Sequence, residues 1–257
     1  NDALSCLVTL QSLGADAVGC NCSTGPADML NIIKTMKPYA TVPLFAKPNA
    51  GMPSLKNGQT VFDMGPEQFA EFVPEFIEAG VNLLGGCCGT RPSHIGLLAK
   101  QLAGKKGLPP HESPVSAVAS SRTVKIFGQE HAFTVVGERI NPTGKKALQA
   151  ELRDGKTSII KQFAVEQKMK GADVLDVNMG LSGIDEKEMM LKAIRLLSKT
   201  SDLPLCIDTT KPDVVEAALR LYPGRALVNS ISGEKERIEK TLPIAAKYGA
   251  MFILLPL

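Results

Sequence analysis

Three cysteines stand where predicted strands end, and their thiols have the composition of a metal site. Cys87 and Cys88 lie in the run Gly85–Thr90, between an apolar strand-like segment and a predicted helix start. Cys22 occupies a similar loop after the strand-like residues 15–19. Three thiols without an evident fourth protein ligand are typical of a zinc site that leaves one coordination position for a substrate. For any single cysteine, packing as a small buried hydrophobe is the alternative.

The other cysteines and one histidine have competing interpretations. Cys20 lies two residues before Cys22 and is a rival ligand, because residues i and i+2 of a strand share a face. If Cys20 were a fourth ligand, the closed site would indicate a structural zinc in a scaffold or binding module. We predict that Cys6 and Cys206 pack within a helix and a strand. His94 is predicted to begin a helix and not to bind the metal.

Composition limits the class of protein. The chain has 257 residues, 44% of them hydrophobic, which suffices for one or two packed domains. A net charge of +3 is too small to indicate binding to nucleic acid or membranes, and the lack of tryptophan argues against base-stacking surfaces. No apolar run is long enough to span a bilayer, and no signal-peptide pattern is present. We expect a cytoplasmic enzyme with reduced thiols, and we interpret the start at Asn1, inside a helical pattern, as a segment of a longer protein.

Strand-like and helix-like segments alternate in two blocks, and this alternation indicates parallel sheets with chemistry at the carboxyl ends of the strands. Three predicted helices of the first block begin at a proline, which the first turn of a helix tolerates: Pro26, Pro66 and Pro92. Residues 105–122 are rich in proline, lysine and small side chains and are predicted to be a linker. Residues 123–137 are predicted to form a hairpin that opens the second block.

In the second block, each of the first four predicted strands ends in polar side chains. These residues are Glu138 with Asn141, Asp176 with Asn178, Asp208, and Asn229 with Ser230. Strand ends of a parallel sheet meet at one mouth, so these groups are expected to converge there. Carboxylates and amides suit a ligand rich in N–H donors and carbonyls, such as a pterin ring. A single aspartate at a strand end is often only a helix cap, and Asp176 is expected to be structural.

Two sets of motifs resemble known families. The first part is similar to the homocysteine S-methyltransferase domain through Asn21–Pro26, Lys47–Gly51, and Gly85–Thr90 with His94 and Ile95. The second part is similar to the pterin-binding domain of methyltetrahydrofolate methyltransferases through Gly137–Gly144, Asp176–Asn178, Ile207–Thr209 and Val228–Ser232. In this order, joined by a short linker, they resemble the cobalamin-dependent methionine synthase family.

The resemblance implies an α/β fold of two (β/α)8 TIM-type barrels, each only partly covered. It assigns 1–104 to the C-terminal part of a homocysteine-binding zinc barrel, 105–122 to a linker, and 123–257 to the N-terminal part of a pterin-binding barrel. It implies zinc on three thiolates and homocysteine as the fourth ligand. The zinc ligands are Cys22, Cys87 and Cys88. The pterin residues are Glu138, Asn141, Asp208 and Asn229, with Asn178 as a weaker candidate.

The implied reaction is methyl transfer from 5-methyltetrahydrofolate, by way of cobalamin, to zinc-bound homocysteine. Its products are methionine and tetrahydrofolate, and cobalamin would sit on a module outside this chain. Two rival enzymes share only half of the pattern: a zinc-dependent thiol methyltransferase with another methyl donor, and an enzyme like dihydropteroate synthase. A third alternative is a non-catalytic, zinc-stabilised binding module.

Overall fold

The computed structural model describes residues 1–256 as a mixed α/β protein. The helices are α1 Ala3–Ser12, α2 Pro26–Met36, α3 Pro66–Ala70, α4 Val73–Glu78, α5 Pro92–Leu102, α6 Lys146–Arg153, α7 Ser158–Met169, α8 Glu186–Thr200, α9 Pro212–Leu221 and α10 Lys235–Lys247. The strands are β1 Val18–Asn21, β2 Leu44–Lys47, β3 Pro53–Lys56, β4 Gln59–Phe62, β5 Val81–Leu84, β6 Ala117–Ala119, β7 Val124–Ile126, β8 Val136–Ile140, β9 Val174–Asn178, β10 Leu205–Asp208, β11 Leu227–Ser232 and β12 Met251–Leu255. No helix among residues 1–256 is long and apolar enough to cross a membrane.

Two compact units make up the chain, one formed by residues 15–114 and the other by residues 1–14 together with Val115 onward. The first unit holds a parallel sheet in the order β1-β2-β5 and a separate antiparallel hairpin of β3 and β4. Helices α2, α3 and α5 begin at prolines, as predicted. The apolar sides of α3 and α5 close a core under the loop that follows β2, around Ala50, Phe69 and Leu98.

The second unit is built on a five-stranded parallel sheet in the order β12-β11-β10-β9-β8. Each neighbouring pair is joined through a helix, as right-handed crossovers require. The main core lies between this sheet and helices α6–α9, and it includes Leu175, Ile194 and Val228, each fully buried. The predicted α/β class with parallel sheets is confirmed: three strands of one sheet and five of the other are present in this chain.

The predicted hairpin of residues 123–137 is wrong. β7 pairs antiparallel with β6, whose residues lie in the stretch predicted to be a linker, while β8 joins the parallel sheet beside β9. The reason is packing. Val118 of β6 contacts the buried residues Val174 and Cys206, and the opposite face of the same hairpin packs on α1.

Helix α1 therefore belongs to the compact unit of the five-stranded sheet, although it lies in the range that the motifs assign to the first domain. The predicted division at residues 104 and 122 stays a prediction.

Asp173 holds the segment that leads into the first strand of the five-stranded sheet. Its carboxylate accepts from the Val135 N–H at 2.9 Å and from the Lys125 ammonium at 2.9 Å. These two contacts, the backbone one foremost, hold the pKa of Asp173 below its usual value.

Candidate metal centre and ligand pocket

Strand ends of the three-stranded sheet bring together the three predicted metal ligands. The Sγ atom of Cys88 lies 3.6 Å from that of Cys22 and 4.0 Å from that of Cys87. All three sulfurs lie within 4.8 Å of one another, and no fourth His, Cys, Asp or Glu among residues 1–256 joins this thiol cluster. None of the six cysteines, all of which are described, forms a disulfide.

The residues after β2 hold both cysteine loops through main-chain hydrogen bonds. The Cys22 N–H donates to the Lys47 carbonyl at 2.9 Å, and the Cys87 N–H donates to the Pro48 carbonyl at 2.9 Å. Because both loops are attached to one continuous segment, the spacing of the thiols is set by the backbone.

Asn49 completes this attachment. Its side-chain oxygen accepts from the Cys88 N–H at 3.2 Å, and its own N–H donates to the Thr24 carbonyl at 3.0 Å. Only 4% of Asn49 is exposed. The next residue, Ala50, donates its N–H to the Cys88 carbonyl at 2.9 Å. Asn49 thus fixes the loop that carries Cys87 and Cys88.

Cys20 is not in the cluster, although strand alternation predicts that it shares a face with Cys22. The chain leaves the strand at Cys22, where φ is +66°, so alternation no longer applies there. The Cys20 sulfur lies 3.9 Å from the Met36 sulfur of α2.

Gly89, which follows Cys88, has a φ of +80° and forms a second sharp turn of the backbone. A side chain at this position would overlap the ring of Phe62.

The electrostatics of the thiol cluster favour a bound cation. The Ser23 N–H, with smaller contributions from Cys87 and Cys88, lowers the pKa of the Cys22 thiol. Hydrogen bonding to Cys22 and the neighbouring negative charge raise the pKa of Cys88 to about 11. Ionisation of Cys22 is therefore easier than that of Cys88, and neighbouring thiolates repel one another unless a cation balances their charge.

The spacing of the sulfurs fits zinc. Tetrahedral zinc with Zn–S bonds of about 2.3 Å places its sulfur ligands about 3.8 Å apart. The two separations from Cys88, 3.6 Å to Cys22 and 4.0 Å to Cys87, bracket that value. A cavity of about 550 Å³ opens beside these loops. It is lined by Asn21, Phe45, Lys47, Leu83, Leu84 and Gly85.

His94 is a helix-start residue, as predicted. Its Nδ1 accepts from the Arg91 N–H at 3.1 Å, so its Nε2 carries the proton and donates to the Met64 carbonyl at 3.1 Å. The ring packs edge-on against Phe69 with 5.6 Å between centroids. With both nitrogens engaged, His94 caps α5.

At the mouth of the five-stranded sheet, Asn178, Asp208 and Asn229 occupy matching positions on neighbouring strands. We call these three residues the polar row. Asn178 Nδ2 donates to an Asp208 carboxylate oxygen at 2.8 Å, and Asn229 Nδ2 donates to Asp176 at 3.0 Å. The polar row and Asp176 thus form two hydrogen-bonded pairs, which meet where Asp176 contacts Asp208.

Glu138 and Asn141 lie at the end of β8, beyond the polar row. Asn141 Nδ2 donates to Glu138 at 2.6 Å, while Asn141 Oδ1 accepts from the Thr143 N–H at 2.9 Å. Burial raises the pKa of Asp208, and the charge of Glu138 adds to this shift. Burial also raises the pKa of Asp176, of which 2% is exposed.

Two supports of this mouth were missed in the sequence. Arg237 of α10 donates to the backbone carbonyls of Thr210 and Ser230, which follow Asp208 and Asn229. Glu186 of α8 accepts from the hydroxyl of Thr209. Charged residues in the first turn of a helix are usually exposed to solvent, so the sequence offered no reason to assign Arg237 or Glu186 to the site.

The comparisons with known families agree with the motifs. The sequence model of the Homocysteine S-methyltransferase family matches residues 2–102, and that of the Pterin binding enzyme family matches residues 137–256. Both resemblances inferred from the motifs are confirmed. The thiol cluster lies within the first matched region, and the polar row lies within the second.

Two curated relatives match along nearly the whole chain. The methionine synthase of Mycobacterium tuberculosis (strain ATCC 25618 / H37Rv) is 32% identical over 255 residues, covering 97% of this chain and 21% of that protein. The methionine synthase of Mycobacterium leprae (strain TN) is 32% identical over 260 residues, covering 97% and 22%. The chain therefore spans about a fifth of the length of these relatives.

Among solved structures, 7,8-dihydropteroate synthase from Vibrio fischeri ES114 matches with a TM-score of 0.37 at 19% identity. The match covers 54% of this chain and 48% of that chain. A similarity of this size supports no conclusion about function.

Proposed function

We propose that this chain, whose residues 2–102 belong to the homocysteine S-methyltransferase family and whose residues 137–256 belong to the pterin-binding enzyme family, serves the methylation of homocysteine. In this proposal 5-methyltetrahydrofolate is the methyl donor, and methionine and tetrahydrofolate are the products. The thiol cluster carries the proposal, because its sulfur spacing suits a metal that accepts a further sulfur ligand.

In the first region, Cys22, Cys87 and Cys88 would hold zinc. Bound zinc favours the thiolate of homocysteine over the thiol at neutral pH, which makes the sulfur a nucleophile. The chain itself contributes the fixed spacing of its sulfurs through the segment 47–50. The cavity beside the loops offers a place for the rest of the amino acid.

In the second region, Asp208 and Asn229 of the polar row would bind the pterin ring of the methyl donor. Asp208 would accept from ring N–H groups, and Asn229 would support the same edge. Glu138 and Asn141 would contact the ligand from β8. The support is geometric: the side chains of four neighbouring strand ends face one mouth and carry mostly acceptors.

Cobalamin would carry the methyl group between the two substrates, and we assign it to a module outside this chain. The support for this assignment is that both curated relatives extend far beyond the matched residues. Under this proposal, the thiol cluster already binds homocysteine and the polar row already binds the pterin.

The alternative of a closed structural zinc site has less support. It needs Cys20 as a fourth ligand, and the Cys20 sulfur contacts Met36 on α2. A methyltransferase with another methyl donor would make no use of the polar row at the second mouth.

The zinc content of the full chain tests the first half of the proposal. It would be measured for the parent and for Cys88→Ser, with Cys20→Ser as the matched control. We expect one zinc per chain in the parent and in Cys20→Ser, and a large loss in Cys88→Ser. X-ray absorption at the zinc edge should show a fourth sulfur entering the metal shell when homocysteine is added.

Two outcomes would contradict the proposal. One is reduced, folded parent protein that takes up no zinc. The other is a zinc shell that homocysteine leaves unchanged. Loss of zinc in Cys20→Ser equal to that in Cys88→Ser would favour the closed structural site.

A further inference from the structure

Asn178 is held at both ends of its amide. Its Nδ2 donates to Asp208 at 2.8 Å, and its Oδ1 accepts from the Gly180 N–H at 2.8 Å. A backbone N–H can only donate, so rotating the amide by half a turn would place two donors against each other. The orientation of Asn178 is therefore fixed by the chain, and one of its donors is directed at Asp208.

Asp176 is the buried member of the same group. One of its oxygens accepts from Asn229 Nδ2 at 3.0 Å, and the carboxylate also meets the Cys206 thiol and the Asp208 carboxylate. A carboxylate that is 2% exposed is costly to bury, so its presence requires a reason. Its hydrogen bond with Asn229 points to that reason: it orients the Asn229 amide.

These contacts decide which atoms remain for a ligand. Asn229 directs its amide nitrogen at Asp176, which leaves its oxygen to accept from a ligand. Asp208 accepts from Asn178 on one oxygen, and its carboxylate also meets that of Asp176. Asp208 and Asn229 are paired on adjacent strands. Acceptors on these two neighbouring strands can serve one ligand that carries several N–H donors.

We propose that Asn178 and Asp176 are positioning residues: Asn178 orients the carboxylate of Asp208, and Asp176 orients the amide of Asn229, so that both present acceptors to one N–H-bearing ligand edge. This inference rests on the proposed function for the identity of the ligand. Under this inference Asn178 does not contact the ligand, contrary to the expectation from the sequence, and Asp176 serves to orient the Asn229 amide.

Double-mutant cycles test the assignment of Asn178. The affinity of the full chain for 5-methyltetrahydrofolate would be measured by titration calorimetry. Loss of a hydrogen bond to a charged group weakens binding by about tenfold or more, and we expect this for Asn178→Ala. In an Asp208→Ala background, the same change should alter Kd by less than about twofold, because the residue acts through Asp208.

The second cycle pairs Asp176→Ala with Asn229→Ala. We expect Asp176→Ala, which removes the acceptor of the Asn229 amide, to weaken binding alone and to have no further effect once that amide is removed. Gln162→Ala, which removes an exposed amide on α7, is the matched control and should leave Kd unchanged. Additive effects in both cycles would overturn the inference, since direct ligand contacts or general damage to the fold predict additivity.

Side-chain amide NMR signals give a ligand-independent measurement. Asp208→Ala should shift the Asn178 NH2 signals, and Asp176→Ala should shift those of Asn229. If neither moves, the inference is wrong even where ligand binding is intact. If the wild-type chain is folded and shows both shifts but does not bind the ligand, the proposed function fails while the positioning holds.

Discussion

Replacing Asn49 by alanine should loosen the metal site without removing any ligand. Asn49 is 4% exposed, and its side-chain oxygen accepts from the Cys88 N–H at 3.2 Å. Alanine removes this acceptor and leaves a donor of the metal loop without a partner, which costs about 1–3 kcal/mol. Loss of a supporting contact behind a metal ligand typically weakens metal binding by about 10–100-fold, or about 1.4–2.7 kcal/mol.

Competition with a coloured zinc chelator measures this change directly. The matched control is Asn31→Ala, because Asn31 lies exposed on α2 and alanine suits a helix. We expect Asn49→Ala to weaken zinc binding by about tenfold or more while Asn31→Ala has no effect. A folded Asn49→Ala protein with zinc affinity within about twofold of the parent would refute the role assigned to the segment 47–50.

Three further predictions concern stability. Tyr222→Phe should lower the free energy of unfolding by about 1–2 kcal/mol in urea titrations, because the buried Leu205 N–H loses the hydroxyl that accepts it at 3.2 Å. Gly89→Ala should cost about 2 kcal/mol, since φ is positive and the neighbouring ring blocks a side chain, whereas Gly96→Ala in open helix should stabilise by about 0.5–1 kcal/mol. Asp173→Asn should lower the melting temperature at neutral pH. Because the folded pKa of Asp173 is depressed, its stabilisation, about 0.5 kcal/mol, is present above about pH 4 and fades as the pH falls further, so parent and variant converge in acid.

The strand ends were the most predictable part of the molecule. Prolines at helix starts and apolar runs before Cys22 and Cys87 placed the thiols at one edge of the sheet, because parallel strands end together. The same reasoning placed the polar row. These predictions depend on local pattern and on topology, and both are visible in the sequence.

Three features depended on contacts that pattern does not encode. Residue alternation could not separate Cys20 from Cys22, because the backbone at Cys22 takes a positive φ outside the strand. The pairing of β6 with β7 depends on burial of Val118 in the second unit, and β6 is only three residues long. The contacts of Arg237 reach back along the chain to Thr210, so spacing gives no indication of them.

The segment 47–50 has a consequence for how metal binding and folding are coupled. Its main-chain hydrogen bonds to the cysteine loops and the Asn49 bond to the Cys88 N–H use no sulfur, so these bonds do not depend on the state of the thiols. Only the Asn49 side chain also contacts a thiol, that of Cys22. In small zinc domains the free energy of zinc binding supplies the free energy of folding, so removal of the metal unfolds the chain. Here the hydrogen bonds of segment 47–50 order the cysteine loops without the metal, so zinc should bind to a chain that is already folded. Its stabilisation then follows mass action, about 2.7 kcal/mol when free zinc is about 100 times its Kd. Chelation should therefore be reversible, with the protein reloaded after dialysis and no refolding step.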